Sequence, residues 1–157
     1  MPQPLEPRVG VARPVLHAQC ALLCPCSFLQ FCDERLASGT PTDFFDDEWR
    51  SVVAVEDIVA WLQWFIAGGV ARAPGVYCMG GPERLNRVQI ARAVAQARGH
   101  SQAAINSVAR SSVVSGGPPS PPDISMDSDR LATVTGIAAQ PLAAMLATAF
   151  TSAAALA

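Results

Sequence analysis

The chain has 157 residues, half of them hydrophobic and 15% charged, the balance of a globular domain with a buried core rather than of a disordered segment. Its formal net charge of −2 removes electrostatic support for a nucleic-acid partner. All eleven basic residues are arginine, so no chemistry that needs a lysine can be done by this chain alone.

Residues 1–26 carry five prolines and read as an irregular, divergent start. Ser27 caps a helix running to about Ser38, with Phe28, Leu29, Phe31 and Leu36 on its apolar side and Gly39 as its stop. Thr42–Phe45 is a short extended piece, and Asp46-Asp47-Glu48 is a solvated turn. The β-branched run Ser51–Val55 predicts a strand. Glu56 and Asp57 open a helix that ends at Gly68-Gly69, its buried stripe made by Ile58, Trp61, Leu62 and Phe65. Val76–Met79 predicts another strand. Asn86 with Gln89 forms a capping box for a helix to Arg98, where Gly99 supplies the left-handed end.

Ile105–Arg110 predicts a strand, and Ser115–Asp123 a loop in which Pro118–Pro122 is a surface element or a polyproline display for a protein partner. Ile124–Met126 is extended. Asp127 caps a helix over Ser128–Thr135 with Gly136 as its stop, and Pro141 starts a last helix over Leu142–Ala153. Residues 151–157 fray. The alternation of strands and helices is α/β, with too few strands for a complete doubly wound sheet. No run of eighteen purely apolar residues occurs, so no membrane-spanning helix is expected.

Five cysteines are present, with Cys20, Cys24, Cys26 and Cys32 crowded together and Cys78 apart. Zinc sites favour two separated Cys-x-x-Cys pairs or histidine partners, which this spacing does not supply, so no metal site is assigned. An odd count without a clear secretion signal points to free thiols in a reducing compartment. The expected location is cytoplasmic, with a weak organelle-targeting segment as the alternative.

Several motifs follow in a fixed order. Phe45-Asp46-Asp47-Glu48-Trp49-Arg50 is a Phe-x-Asp-Glu-x-Arg element, and Asp57 lies seven residues after Arg50. Gly75 to Pro82 spells Gly-x-Tyr-x-x-Gly-Gly-Pro. Asp123-Ile124-Ser125-Met126-Asp127 precedes Leu131 and the pair Gly136-Ile137. Over residues 27–150 the chain resembles the substrate-binding, C-terminal part of dTDP-4-dehydrorhamnose reductase-like extended short-chain dehydrogenases/reductases. The resemblance implies a partial Rossmann-like fold, a nucleotide-sugar ligand and, for a full-length member, NAD(P).

The same family places its cofactor on a Gly-x-x-Gly-x-x-Gly turn and its catalysis on a Tyr-x-x-x-Lys pair. Neither is present: Tyr77 is the single tyrosine, and Pro82 interrupts the only Gly-Gly turn after a predicted strand. The expectation is therefore no cofactor-binding or catalytic residue in this chain alone, and no activity without a further half. A non-catalytic relative, the regulatory beta subunit of methionine adenosyltransferase, implies a binding or regulatory role as the alternative.

Arg50 is the candidate substrate-binding residue, because the matching arginine of related epimerases contacts the nucleotide-sugar diphosphate and a planar guanidinium suits phosphate oxygens. The competing reading pairs Arg50 with Asp47, Glu48 or Asp57. Asp57 reads as a helix-starting residue, and Trp61, Trp64 and Tyr77 read as packing.

Overall fold

The computed structural model describes residues 28–112 and 121–154. The expectations for residues 1–27, the crowded Cys20, Cys24 and Cys26, most of the Pro-rich loop and the last residues of the tail lie outside that range. The described chain is α/β. Helix α1 (Phe28–Ala37) leads to strand β1 (Thr42–Phe45) and a two-residue strand β2 (Trp49–Arg50). Helix α2 (Val55–Trp64) runs on to a kink at Ala67 and Gly68, where Gly68 takes a φ of 95°, and one short helical turn, Val70–Arg72, follows it. Strand β3 (Leu85–Asn86) runs directly into helix α3 (Arg87–Arg98). Strand β4 (Ile105–Val108), helix α4 (Asp129–Thr135) and helix α5 (Leu142–Ala154) complete the order.

The strands form two small sheets. β1 and β4 pair in parallel with Thr42 opposite Ile105 and Phe45 opposite Val108. β2 and β3 are antiparallel, with Trp49 opposite Asn86 and Arg50 opposite Leu85. Asp123 adds an isolated parallel bridge opposite Trp49: Trp49 N donates to Pro122 O at 2.7 Å and Ile124 N donates to Trp49 O at 3.2 Å. One step on, Met126 N donates to Ser51 Oγ at 3.0 Å.

Helix α3 is the centre of the molecule, packed by α1, α5, β1, β3 and β4. Its Val88, Ile90, Ala91, Val94 and Ala95 meet Cys32 and Leu36 of α1, Phe44 of β1, and Leu142 and Leu146 of α5. Small alanines let the neighbouring helices approach while Ile90 and Val94 fill the space between them, and each large aliphatic chain buried there contributes about 1.5–3 kcal/mol. The helix begins with the capping box read from the sequence. Asn86 Oδ1 accepts from Gln89 N, and Gln89 Oε1 accepts from Asn86 N, both at 2.9 Å. It ends at Gly99, whose φ of 71° is strained for any residue with a Cβ.

Three local expectations are corrected. Ser51–Val55 is not a strand: residues 51–54 are extended without a ladder, and α2 starts at Val55. Val76–Met79 is likewise extended but unladdered. The Gly80-Gly81 turn that follows lies against residues 51–52, so closely that a Cβ on Gly81 would sit 1.7 Å from Val52 O. β-Propensity needs a neighbouring strand in register, and none is supplied here among the described residues. The predicted strand Ile105–Arg110 stops at Val108, and Arg110 opens a 3-10 turn instead.

The helix after Asp57 follows the expected stripe only in part. Trp61 is fully buried and its Nε1–H donates to Ile137 O at 3.0 Å, but Leu62 is exposed and Ile66 is 84% exposed. Val70 and Val76 are exposed as well. No helix among the described residues is long and apolar enough to cross a membrane.

Candidate anion-binding site

The acidic turn is the largest departure from the sequence reading. Glu48 was expected in solvent, yet its side chain is only 3% exposed. Burying a carboxylate is costly unless opposite charge surrounds it. Three arginines do so. Glu48 Oε2 accepts from Arg87 Nε at 2.8 Å and from Arg50 Nη2 at 3.2 Å, and Oε1 forms an ion pair with Arg110, 3.0 Å from its Nε.

Each member arrives from a different element. Arg50 ends β2, Arg87 is the first residue of α3, and Arg110 opens the turn after β4. Asp47 fixes that turn by accepting from Arg110 N at 2.9 Å through Oδ1. Arg87 also lies over the Phe28 ring at 4.9 Å, and Arg50 Nη1 donates to Trp49 O at 2.6 Å. Three guanidiniums thus converge on one carboxylate, and they retain 20%, 34% and 23% side-chain exposure for Arg50, Arg87 and Arg110. A partly desolvated cluster of cations held in fixed geometry is suited to binding an anion such as a phosphate.

For Arg50 the structure shows pairing with Glu48, one of the acids weighed against it in sequence. Asp57 is drawn elsewhere: its carboxylate accepts from Gln140 N at 2.8 Å and from Gln140 Nε2 at 3.1 Å, tying the start of α2 to the approach to α5. Tyr77 donates its hydroxyl to Ala73 O at 3.1 Å and packs against Phe65, as a packing residue would. Arg87 and Arg110 were missed in sequence as site members. One signal was available: an arginine in the first turn of a helix opposes the helix dipole and calls for a compensating acid.

A cavity among the described residues does not coincide with this cluster. It holds about 450 Å³ and begins at Ser51, but none of the three arginines lines it. Its charged lining is Glu83, Asp127 and Asp129 against Arg84, an acidic balance that disfavours phosphate. The arginine cluster is therefore the better candidate for an anionic ligand. Beside the cavity, the Arg84 guanidinium lies 3.8 Å over the Trp49 ring and binds Asp123. Hydrogen bonds from the Ser125 hydroxyl and backbone N–H, aided by Arg84, hold the Asp123 carboxyl down at about 2.

Two free cysteines are described. Cys32 is fully buried in the α1–α3 interface, and that burial pushes its thiol up to about 12. Cys78 is exposed. The described residues contain no cluster of side chains that could hold a metal ion.

The sequence matches no protein-family model and no curated protein. The fold does match solved structures. It is similar to dTDP-glucose 4,6-dehydratase from Bacillus anthracis in complex with NAD, with a TM-score of 0.61 and 13% identity, covering 81% of this chain and 38% of that one. It is similar to UDP-glucuronic acid 4-epimerase from Bacillus cereus in complex with UDP-glucuronic acid and NAD, with a TM-score of 0.58 and 16% identity, covering 85% and 41%. It is also similar to DesIV, a dTDP-glucose 4,6-dehydratase from Streptomyces venezuelae with NAD bound, with a TM-score of 0.54 and 18% identity, covering 81% and 39%. The chain spans about two fifths of the length of these structures, and the likeness establishes its fold as part of the α/β architecture of nucleotide-sugar dehydratases and epimerases.

Proposed function

We propose that this chain is the substrate-binding portion of a nucleotide-sugar-modifying protein of the dTDP-4-dehydrorhamnose reductase-like kind, cytoplasmic, and unable to transfer hydride by itself. The observation that carries the reading is Arg50, partly buried at the end of β2 and held by Glu48, in a fold shared with proteins solved with UDP-glucuronic acid and NAD. Arg50 would receive the diphosphate of the ligand, where a planar guanidinium pairs with two oxygens at once.

NAD(P) would belong to a companion half carrying a glycine-rich turn. The residues described do not fit that group. The turn after residues 76–79 contains Pro82, which lacks an N–H, and the close contact of Gly81 with Val52 O leaves no room for a pyrophosphate there. A regulatory role like that of the methionine adenosyltransferase beta subunit is the second reading, favoured by the absence of any lysine to serve a catalytic tyrosine.

Titration of the purified chain with dTDP-glucose, alongside an NADH-oxidation assay with nucleotide-sugar ketones, tests the first reading. It expects saturable binding without oxidation. Absence of binding, or cofactor oxidation that copurifies with the chain, would overturn it.

A further inference from the structure

Between Leu36 and Phe44, both in the core, the chain passes through residues 37–41, all of them exposed. Two hydroxyls meet there. Ser38 Oγ donates to Arg35 O at 2.9 Å, and Thr40 Oγ1 lies 2.8 Å from Ser38 Oγ. Gly39, at a φ of 65°, turns the chain out of α1, and no atom lies within 4 Å of where its Cβ would stand. The Ser38 hydroxyl therefore caps the end of α1 from a turn that another protein can reach.

Arg35 stands three residues before Ser38. Its guanidinium is directed back along α1, 5.6 Å over the ring of the exposed Phe31. An exposed arginine at a short fixed spacing from a hydroxyl is a charge pattern that a protein kinase reads with carboxylates of its own. The same spacing recurs before Ser101 and before Thr133, and both of those arginines are engaged. Arg98 Nε donates to Asp33 Oδ1 at 3.0 Å, and Arg130 lies 4.8 Å over the Tyr77 ring. Thr133 is also inside α4, where its Oγ1 donates to Asp129 O at 2.8 Å.

We propose that Ser38 is the phosphate acceptor of an arginine-directed protein kinase, and that its modification loosens the end of α1. Neither part depends on a nucleotide-sugar site. In the transfer, Ser38 Oγ bonds to the γ-phosphorus of ATP, the bond from that phosphorus to the bridging oxygen breaks with ADP as leaving group, and the hydroxyl proton passes to a carboxylate of the kinase. The esterified Oγ has no proton, so the donation to Arg35 O is lost. The phosphate also sets close to two negative charges at the negative end of the helix dipole. Cys32 and Leu36, in the last two turns of α1, pack against α3, so the loosening reaches the core.

The test incubates the whole chain with ATP and the catalytic subunit of cyclic-AMP-dependent protein kinase, maps the phosphate by mass spectrometry and compares melting temperatures before and after. The expected result is phosphate on Ser38, at a rate lowered roughly tenfold in Arg35→Gln and unchanged in Arg98→Gln, with a melting temperature about 2–4 °C lower in the modified protein. A chain that takes no phosphate, or takes it at Thr40, Ser101 or Thr133 and not at Ser38, overturns the proposal. So does a rate indifferent to Arg35→Gln. A modified protein that melts at the same or a higher temperature would show the phosphate turning to Arg35 rather than unsettling α1, and overturns the second part. Ser38→Glu and Ser38→Gln repeat the thermal comparison without a kinase: the charged variant should melt lower, and equal melting decides against the loosening.

Discussion

Replacing Asn86 by Ala should cost this fold more than an ordinary helix cap does. Asn86 carries three tasks at once. Its Oδ1 accepts from Gln89 N at 2.9 Å, its Nδ2 donates to Asp46 O at 3.0 Å, and its backbone pairs with Trp49 in the second sheet. Losing the cap costs about 0.5–2 kcal/mol. Leaving the part-buried Asp46 carbonyl without its side-chain donor adds about 1 kcal/mol. The sum, roughly 1.5–3 kcal/mol, is a large share of a typical margin of about 5–15 kcal/mol. For a chain of this size it corresponds to a melting-temperature drop of roughly 3–12 °C.

Urea and thermal unfolding of Asn86→Ala and Asn86→Asp separate the parts. Aspartate keeps the acceptor for Gln89 N and loses the donor to Asp46 O, so it should recover about half the loss. A change below about 0.5 kcal/mol in Asn86→Ala would refute the placement of this cap at the junction of β3 and α3.

Thiol labelling followed by mass spectrometry should find Cys78 modified promptly at pH 8 and Cys32 protected until the protein unfolds, because the buried thiol, raised to about 12, stays protonated. Its raised value also sets a sign: the contribution is fully present below the ordinary thiol value of 9.0 and is lost as pH rises from there through about 12, so Cys32→Val should flatten alkaline unfolding. Asp123 works the other way. Its contribution is present above the ordinary carboxyl value of 3.8 and is lost as pH falls through about 2, and Asp123→Asn should remove that part of the acid transition in a pH-dependent melt. Ile66 and Val76, 84% and 86% exposed, should bind a hydrophobic dye, and Ile66→Ser with Val76→Ser should reduce the dye signal without lowering the melting temperature.

The parts of the fold that were legible are those written in local chemistry. The stop of α1 at Gly39, the Asn86–Gln89 box, the left-handed Gly99 and the end of α4 at Gly136 each need only a few neighbouring residues, and the structure has all four. The strands were harder, because Ser51–Val55 and Val76–Met79 have the right composition but strand formation also requires a partner at the right distance. α1 shows the same limit on a smaller scale. Phe31 was placed on its apolar side, yet it is 40% exposed, while Cys32 and Leu36 point into the core.

Of the residues gathered in the candidate site, only Arg50 was singled out from sequence. Asp46, Asp47 and Glu48 look alike as a run of acids, and local sequence cannot show that Glu48 alone turns inward. That outcome depends on Arg87 and Arg110, which lie 39 and 62 positions further along the chain and are brought to it by α3 and β4.

The most direct test of the account is the affinity for dTDP-glucose of the wild type, Arg50→Ala and Arg50→Lys, measured with the melting temperature of each. A charge-assisted contact to phosphate is worth roughly 1.5–3 kcal/mol, so alanine should weaken binding about ten- to a hundredfold and lysine should restore only part, because it cannot form the two-pronged contact. Equal affinity in all three proteins, beside a lower melting temperature in Arg50→Ala, would assign Arg50 to the support of buried Glu48 and contradict the claim that it receives a nucleotide sugar.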